Sequence, residues 1–209
     1  MTAILVFAKA PEPGRVKTRL CPPLSPIEAA RLHACLVRRT LETAVGSGLG
    51  PVILYCSPDL AHPFFRRCAE DFPIRLRPQC EGDLGRRMAA AFAESLAHGG
   101  SALLIGCDCP ALTGEDLSAA QEALRDGTEA VIVPAEDGGY ALIGLRRPEP
   151  ELFTDMAWGG PTVHAATRAR LRDLGLAWTD LPPRWDVDRP EDLERLARAY
   201  PGLAVNGEA

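Results

Sequence analysis

No apolar run in this chain approaches the ~18 residues that a membrane-crossing helix needs, and an apolar segment starts within two residues of Met1, where a signal peptide would have a charged flank. The expectation is a cytoplasmic protein without signal peptide or transmembrane helix. A basic excess is also missing: the formal net charge is −5, which argues against a general nucleic-acid or membrane surface and for a small-molecule partner. There is no Cys-x-x-Cys pair. The cysteines at 21, 35, 56, 68, 80, 107 and 109 are odd in number and scattered, which suits reduced packing thiols better than a disulfide framework.

The common catalytic signatures are absent too. Neither Gly-x-x-x-x-Gly-Lys-Ser/Thr nor Gly-x-Gly-x-x-Gly occurs, so P-loop and dinucleotide-binding readings have no support. No Gly-x-Ser-x-Gly elbow or His-Glu-x-x-His pair accompanies His33, His62, His98 and His164, all of which fall in predicted helices and read as ordinary helix residues.

What the chain has is an alternation of strand and helix signals through 209 residues, 46% of them hydrophobic and 24% charged, enough for one sizeable core. Apolar runs at Ala3–Ala8, 51–56, 74–77, 101–106, 130–133 and 140–144 read as strands. Helices are expected from a Ser25-Pro26-Ile27-Glu28 capping box to about Val45, over 59–71, from near Asp83, from Thr113 to about Arg125, and near 161–173 and 190–199. This order predicts a single α/β domain over residues 1–201, with a mostly parallel open sheet, helices on both faces and a disordered tail at 202–209.

Four constellations carry chemistry. The first is Phe7-Ala-Lys-Ala-Pro-Glu-Pro-Gly-Arg-Val-Lys-Thr-Arg-Leu20, which puts Lys9, Arg15, Lys17 and Arg19 on a Pro/Gly-rich loop directly after a buried strand, where open α/β sheets bind ligands. Four cations on an acidic chain point to a local anion, most simply the phosphates of a nucleotide. The second is Ile105-Gly-Cys-Asp-Cys-Pro110. Here Asp108 emerges at a strand end and suits Mg²⁺ or Mn²⁺, hard cations that prefer carboxylate oxygens and bridge to substrate phosphates. Cys107 and Cys109 flank it, and strand alternation would turn both away from the aspartate into the core.

The third is Trp185-Asp-Val-Asp-Arg-Pro-Glu-Asp192, in which Asp186 and Asp188 share a face of an extended segment as further metal ligands. Asp188-Arg-Pro-Glu191 also reads as a capping box for the last helix. The fourth pairs Gln79-Cys-Glu-Gly-Asp-Leu-Gly-Arg-Arg-Met88 with Pro134-Ala-Glu-Asp-Gly-Gly-Tyr140. Gln79 and Gly82 are candidates for a base edge and Asp83 for the nucleotide side, while Asp137, Gly138, Gly139 and Tyr140 form a hairpin turn able to hold hydroxyls of a sugar-like group.

In this order, with Trp158 between the turn and the late aspartates, these motifs make the chain resemble the bacterial GT-A-like transferases named for arsenosugar biosynthesis, also described as associated with radical-SAM and selenium-domain proteins. The resemblance runs from about Ala3 to Leu196. It implies a nucleotide-diphospho-sugar transferase fold related to guanylyltransferases, with Arg15, Lys17 and Arg19 cradling nucleotide phosphates, Asp108 and Asp188 on the metal, and Trp158 on the acceptor side. Two departures stand out: Arg189 replaces a usual threonine in the late motif, and Gly159-Gly160 follows Trp158 where polar residues are more familiar. The reading adopted is a glycosyltransferase taking a nucleoside diphosphate-sugar and a small acceptor, with Asp108 and Lys17 as the catalytic pair. The alternatives are a nucleotidyltransferase joining a nucleoside triphosphate to a phosphorylated acceptor, which the cation-dense loop suits, and a non-catalytic nucleotide-binding partner.

Overall fold

The computed structural model describes residues 1–204. Seven strands form one sheet: β1 (Thr2–Lys9), β2 (Val52–Ser57), β3 (Ile74–Pro78), β4 (Ser101–Ile105), β5 (Ala130–Pro134), β6 (Tyr140–Leu145) and β7 (Trp178–Asp180), in the order β3-β2-β1-β4-β6-β5-β7. Only the pairings of β6 with β4 and β5 are antiparallel; the others are parallel. The β5–β6 turn at Asp137-Gly138-Gly139 is a hairpin, with Gly138 at φ 92, a conformation that favours glycine.

Strand alternation sends Ile4 and Val6 to one face of the sheet and Leu5 to the other. The first face is covered by α1 (Pro26–Gly46), α2 (Pro63–Asp71), α4 (Gly114–Arg125) and α6 (Asp192–Ala199), through residues such as Leu36, Phe65, Leu117 and Leu196. The second is covered by α3 (Leu84–Leu96) and α5 (Val163–Asp173), where Phe92 stacks on Phe153 with ring centroids 5.8 Å apart. Both faces of β1 and β4 are therefore buried, as their unbroken apolar sequences require.

The Ser25–Glu28 capping box at α1 is formed as expected, and Thr113 and Asp116 build a second one at α4. The expected box at Asp188–Glu191 is not formed. There α6 begins at Asp192 after Glu191, and the Asp192 carboxylate accepts from the backbone N–H groups of Asp188 and Arg189, which leaves the Asp188 side chain for the loop cation Arg19. Other differences are local. α2 starts at Pro63 with the His62 ring as its cap, His98 lies beyond the end of α3, and a short helical turn, α7 (Pro201–Ala204), takes in the first residues of the tail expected at 202–209. The remainder of that tail lies outside the described residues.

The crevice lies over the carboxyl ends of β1 and β4. These adjacent strands are reached by chain excursions running in opposite directions along the sheet, the switch point at which open α/β sheets bind ligands. No helix among the described residues is long and apolar enough to cross a membrane.

Candidate active site

β1 delivers Lys9 to the crevice rim, and the following loop folds back on itself through Gly14 (φ 77) and Lys17 (φ 49), the latter a left-handed conformation uncommon for a side chain of this size. The Lys17 side chain is only 3% exposed. Its Nζ lies 2.6 Å from Asp108 Oδ1 and also donates to the Val187 carbonyl, so one ammonium ties the loop, the β4 end and the late segment together. Arg19 repeats the arrangement further out, with Nη1 2.6 Å from Asp188 Oδ2. The late segment reaches this place because Arg184 N–H donates to Pro134 O at the end of β5, the Arg184 guanidinium holds buried Asp116, and Val187 N–H donates to Asp108 O at 2.8 Å.

Asp108 is pulled in two directions. Partial withdrawal from water at the crevice floor pushes its carboxyl up, but the charge and hydrogen bond of Lys17, aided by Lys9, hold it below the ordinary aspartate value. Its neighbours Cys107 and Cys109 are buried, and their thiols donate to the carbonyls of Phe7 and Trp185. Burial raises both thiols, Cys109 to about 12, so they are packing groups without thiolate character at neutral pH.

Two compartments meet at Asp108. The larger, about 600 Å³, is lined by Lys9, Arg15, Lys17, Arg19 and Arg87 together with Asp83, Asp108 and Asp188. The structure thus gathers the four loop cations and adds Arg87, an α3 residue that nothing in its local sequence distinguishes. Gln79 and Gly82 line this compartment as well. The Gln79 amide nitrogen is spent on the Ala8 and Tyr55 carbonyls, and its oxygen accepts from Arg87, so it orients an arginine more directly than it could read a base edge. Asp83 lies on the wall as the N-cap of α3, its carboxylate accepting from Arg86 N–H at 2.8 Å.

His33 is another unforeseen member of this wall. It is 6% exposed, Nε2 is 3.0 Å from Lys9 O, and Nδ1 is buried with no hydrogen-bond partner. Burial lowers its pKa more strongly than nearby Asp108 raises it, so the ring is neutral; with the proton on Nε2 for Lys9 O, Nδ1 is left as a bare acceptor.

The second compartment, about 280 Å³, is walled by Phe7, Leu84, Met88, Tyr140, Trp158 and Val163 and is also lined by Asp108, Asp137 and Asp186. Trp158 lies against Gly85, where a Cβ would stand 3.0 Å from the indole and 2.3 Å from Phe153 O. Gly138 is likewise required, since a Cβ there would be 2.0 Å from Pro161 O. Gly139 lines the pocket and donates its N–H to Asp137 Oδ1 at 2.8 Å. The Tyr140 ring forms wall, but its hydroxyl is buried without a hydrogen-bond partner, as is Trp158 Nε1. Burial, then the charges of Asp137 and Asp108, push the Asp186 carboxyl up to about 6.

Among the described residues no three His, Cys, Asp or Glu side chains are grouped to hold a metal ion. Asp108 and Asp188 both line the larger compartment, each engaged by a loop cation, whereas Asp186 lines the smaller one. A hard cation that bridges protein to substrate phosphates commonly takes only one or two carboxylates, so the Asp108–Asp188 pair fits a site completed by substrate and not a preformed cage.

The sheet order and the crevice at its switch point are those of the nucleotide-diphospho-sugar transferase fold. Residues 40–160 match the family described as "Uncharacterized protein conserved in bacteria (DUF2064)", and the chain belongs to it. Its structure is similar to the crystal structure of a candidate nucleotide-diphospho-sugar transferase from Desulfovibrio desulfuricans G20, with a TM-score of 0.86 and 32% identity over 96% of this chain and 88% of that one. Among curated proteins it is 32% identical to the phosphoenolpyruvate guanylyltransferase of Rubrobacter xylanophilus, over 91% of this chain and 93% of that protein. It is 30% identical to the 3-phospho-D-glycerate guanylyltransferase of Phenylobacterium zucineum, over 87% and 84%. These relatives correct the expectation of glycosyl transfer, because they are named for nucleotidyl transfer, the reaction the sequence left as its alternative. Nothing among these matches supports the arsenosugar name.

Proposed function

We propose that the protein is a nucleotidyltransferase that joins the nucleoside monophosphate of a triphosphate, GTP by analogy with its curated relatives, to a phosphorylated small molecule. The observation that carries this reading is the charge of the larger compartment: five basic side chains face a space that opens onto Asp108. An acceptor phosphate oxygen bonds to the α-phosphorus, the bond from that phosphorus to the bridging oxygen breaks, and pyrophosphate leaves with the electron pair. Lys17 and Arg19 hold the two carboxylates, while Lys9, Arg15 and Arg87 are the cations on this wall not bound to Asp108 or Asp188 and so are placed to take up the leaving group's charge, a contribution that preorganised cations make without reorganisation. Asp108, between the two compartments, and Asp188 would hold Mg²⁺ or Mn²⁺, which when bound neutralises and orients the phosphates.

The test is pyrophosphate release from GTP, with Mg²⁺ or Mn²⁺, across a set of phosphorylated acceptors. Acceptor-dependent release, lost in Asp108→Asn with the fold intact by circular dichroism, is expected. Absence of release from GTP, ATP, CTP and UTP with every acceptor refutes the reading.

A further inference from the structure

Four side chains that line neither compartment form a continuous stack. The Arg39 guanidinium lies 4.0 Å from the centre of the Tyr200 ring, Tyr200 stacks on Trp185 with ring centroids 6.2 Å apart, and the Arg195 guanidinium lies 4.6 Å over the Trp185 ring. A planar guanidinium packs on the negative face of an aromatic ring, so each member suits its neighbours. The stack is also tied to the crevice at three points. Arg39 Nε donates to Pro110 O at 3.0 Å, two residues beyond Asp108. At the other end Arg195 donates to both oxygens of Glu136, at 2.6 and 3.1 Å, one residue before Asp137. In the middle Trp185 adjoins Asp186, and its carbonyl accepts from Cys109 Sγ at 3.1 Å. Both ends and the centre of one stack therefore lie within two residues of Asp108, Asp137 and Asp186, the three carboxylates that line the smaller compartment.

Carboxylates gathered around one small space repel each other. Among the described residues Lys17 pairs with Asp108, and no ion pair engages Asp137 or Asp186. Unrestrained, the loops that carry them would spread toward water. A cation placed directly on each carboxylate would prevent this but would also occupy the oxygens a ligand has to reach. The stack restrains the loops without that cost to the site, because its guanidinium groups are spent on aromatic rings, the Pro110 carbonyl and Glu136. We propose that Arg39, Tyr200, Trp185 and Arg195 are positioning residues, a strut that fixes Asp108, Asp137 and Asp186 relative to one another where the two compartments meet. They act through the backbone and touch no substrate. The consequence for turnover rests on the nucleotidyl-transfer reading, in which Asp108 stands between triphosphate and acceptor; a misplacement of about 1 Å there costs roughly a hundredfold in rate.

Tyr200→Leu takes the ring out of the stack, Tyr200→Phe keeps it, and Arg39→Met cuts the stack at its α1 end without altering α6. The direct readout is the side-chain carboxyl ¹³C resonances of Asp108, Asp137 and Asp186 at neutral pH, assigned with Asp108→Asn, Asp137→Asn and Asp186→Asn, at a temperature where each variant is folded by circular dichroism. All three should move in Tyr200→Leu, that of Asp108 should move in Arg39→Met, and none should move in Tyr200→Phe. In the pyrophosphate assay Tyr200→Leu should lower kcat by about tenfold or more with KM for GTP little changed, because the cationic loop keeps its place, and Tyr200→Phe should keep the wild-type rate. A stack that only stabilises the fold would lower the unfolding midpoint and leave resonances and kcat where they are, which overturns the proposal. If Tyr200→Leu does not fold, unmoved resonances in Arg39→Met overturn it. Resonances that move as expected in a protein that releases no pyrophosphate remove nucleotidyl transfer and leave the strut standing.

Discussion

Lys17→Met removes the ammonium at the centre of the site while keeping the length of the side chain. Its magnitude follows from an asymmetry: the Lys17 side chain is 3% exposed and the Asp108 side chain 55%, with 2.6 Å between Nζ and Oδ1. Breaking a fully buried pair from one side costs about 3–5 kcal/mol and a solvated pair contributes about 0–1, so this half-solvated pair should lose about 2 kcal/mol. Asp108→Asn should cost a similar amount by leaving the ammonium with neutral acceptors, the amide oxygen and the Val187 carbonyl, and no counter-charge. The double variant should lose less than the sum of the two, with a coupling of about 1–2 kcal/mol, because neither charge is then orphaned. The assay is urea denaturation of all four proteins at neutral pH. The folded Asp108 carboxyl is held below its ordinary value of 3.8, so the coupling should be fully present above that value and disappear as pH falls through the lower folded one. A coupling under about 0.3 kcal/mol at neutral pH, within the additivity of independent sites, would refute the pair as an element of the folded site.

Two further outcomes check the second compartment. The folded Asp186 carboxyl, raised from 3.8 to about 6, stays protonated where the unfolded one ionises, so it lowers stability progressively as pH rises between those values and by a constant amount above them. Asp186→Asn should therefore flatten that part of the stability–pH curve and stabilise the protein at pH 7 by about 1 kcal/mol after allowance for partial solvation; an unchanged curve refutes it. Gly85→Ala puts a methyl group 2.3 Å from Phe153 O, a backbone atom that cannot swing aside, and 3.0 Å from the Trp158 indole, so thermal unfolding should show a loss of about 1–3 kcal/mol. A neutral substitution there would show that Trp158 does not form the wall described.

Much of the fold was legible because its signals are local. The apolar run of β1, the Ser25–Glu28 box and the cap at Thr113 each state their structure within a few residues. Strand β7 was missed because Trp178-Thr179-Asp180 is short and partly exposed; it becomes a strand only by pairing in parallel with β5. The capping reading that accompanied the metal reading of the late segment fails for the complementary reason. Asp188-Arg-Pro-Glu191 satisfies the local pattern, but Asp192 supplies the carboxylate that takes the free N–H groups, and Asp188 is drawn to a cation distant in sequence.

The site divides along the same line. The cationic loop and Asp108 were readable because strand end, proline and charge lie together in the chain, whereas Arg87 and His33 look like ordinary helix residues and acquire a place only when α3 and α1 pack beside the crevice. The choice of reaction was beyond the motifs for a deeper reason. Glycosyl and nucleotidyl transfer both need the same phosphate-binding loop and strand-end carboxylate, and they differ in which atom of the donor is attacked and by what. The place where that difference would be read is the smaller compartment, which is assembled from the β5–β6 turn, the Trp158 loop, α3 and the segment around Asp186. No single stretch of sequence carries its charge. Among the described residues its lack of a lysine, arginine or histidine is a property of the assembled wall, which none of the motifs shows.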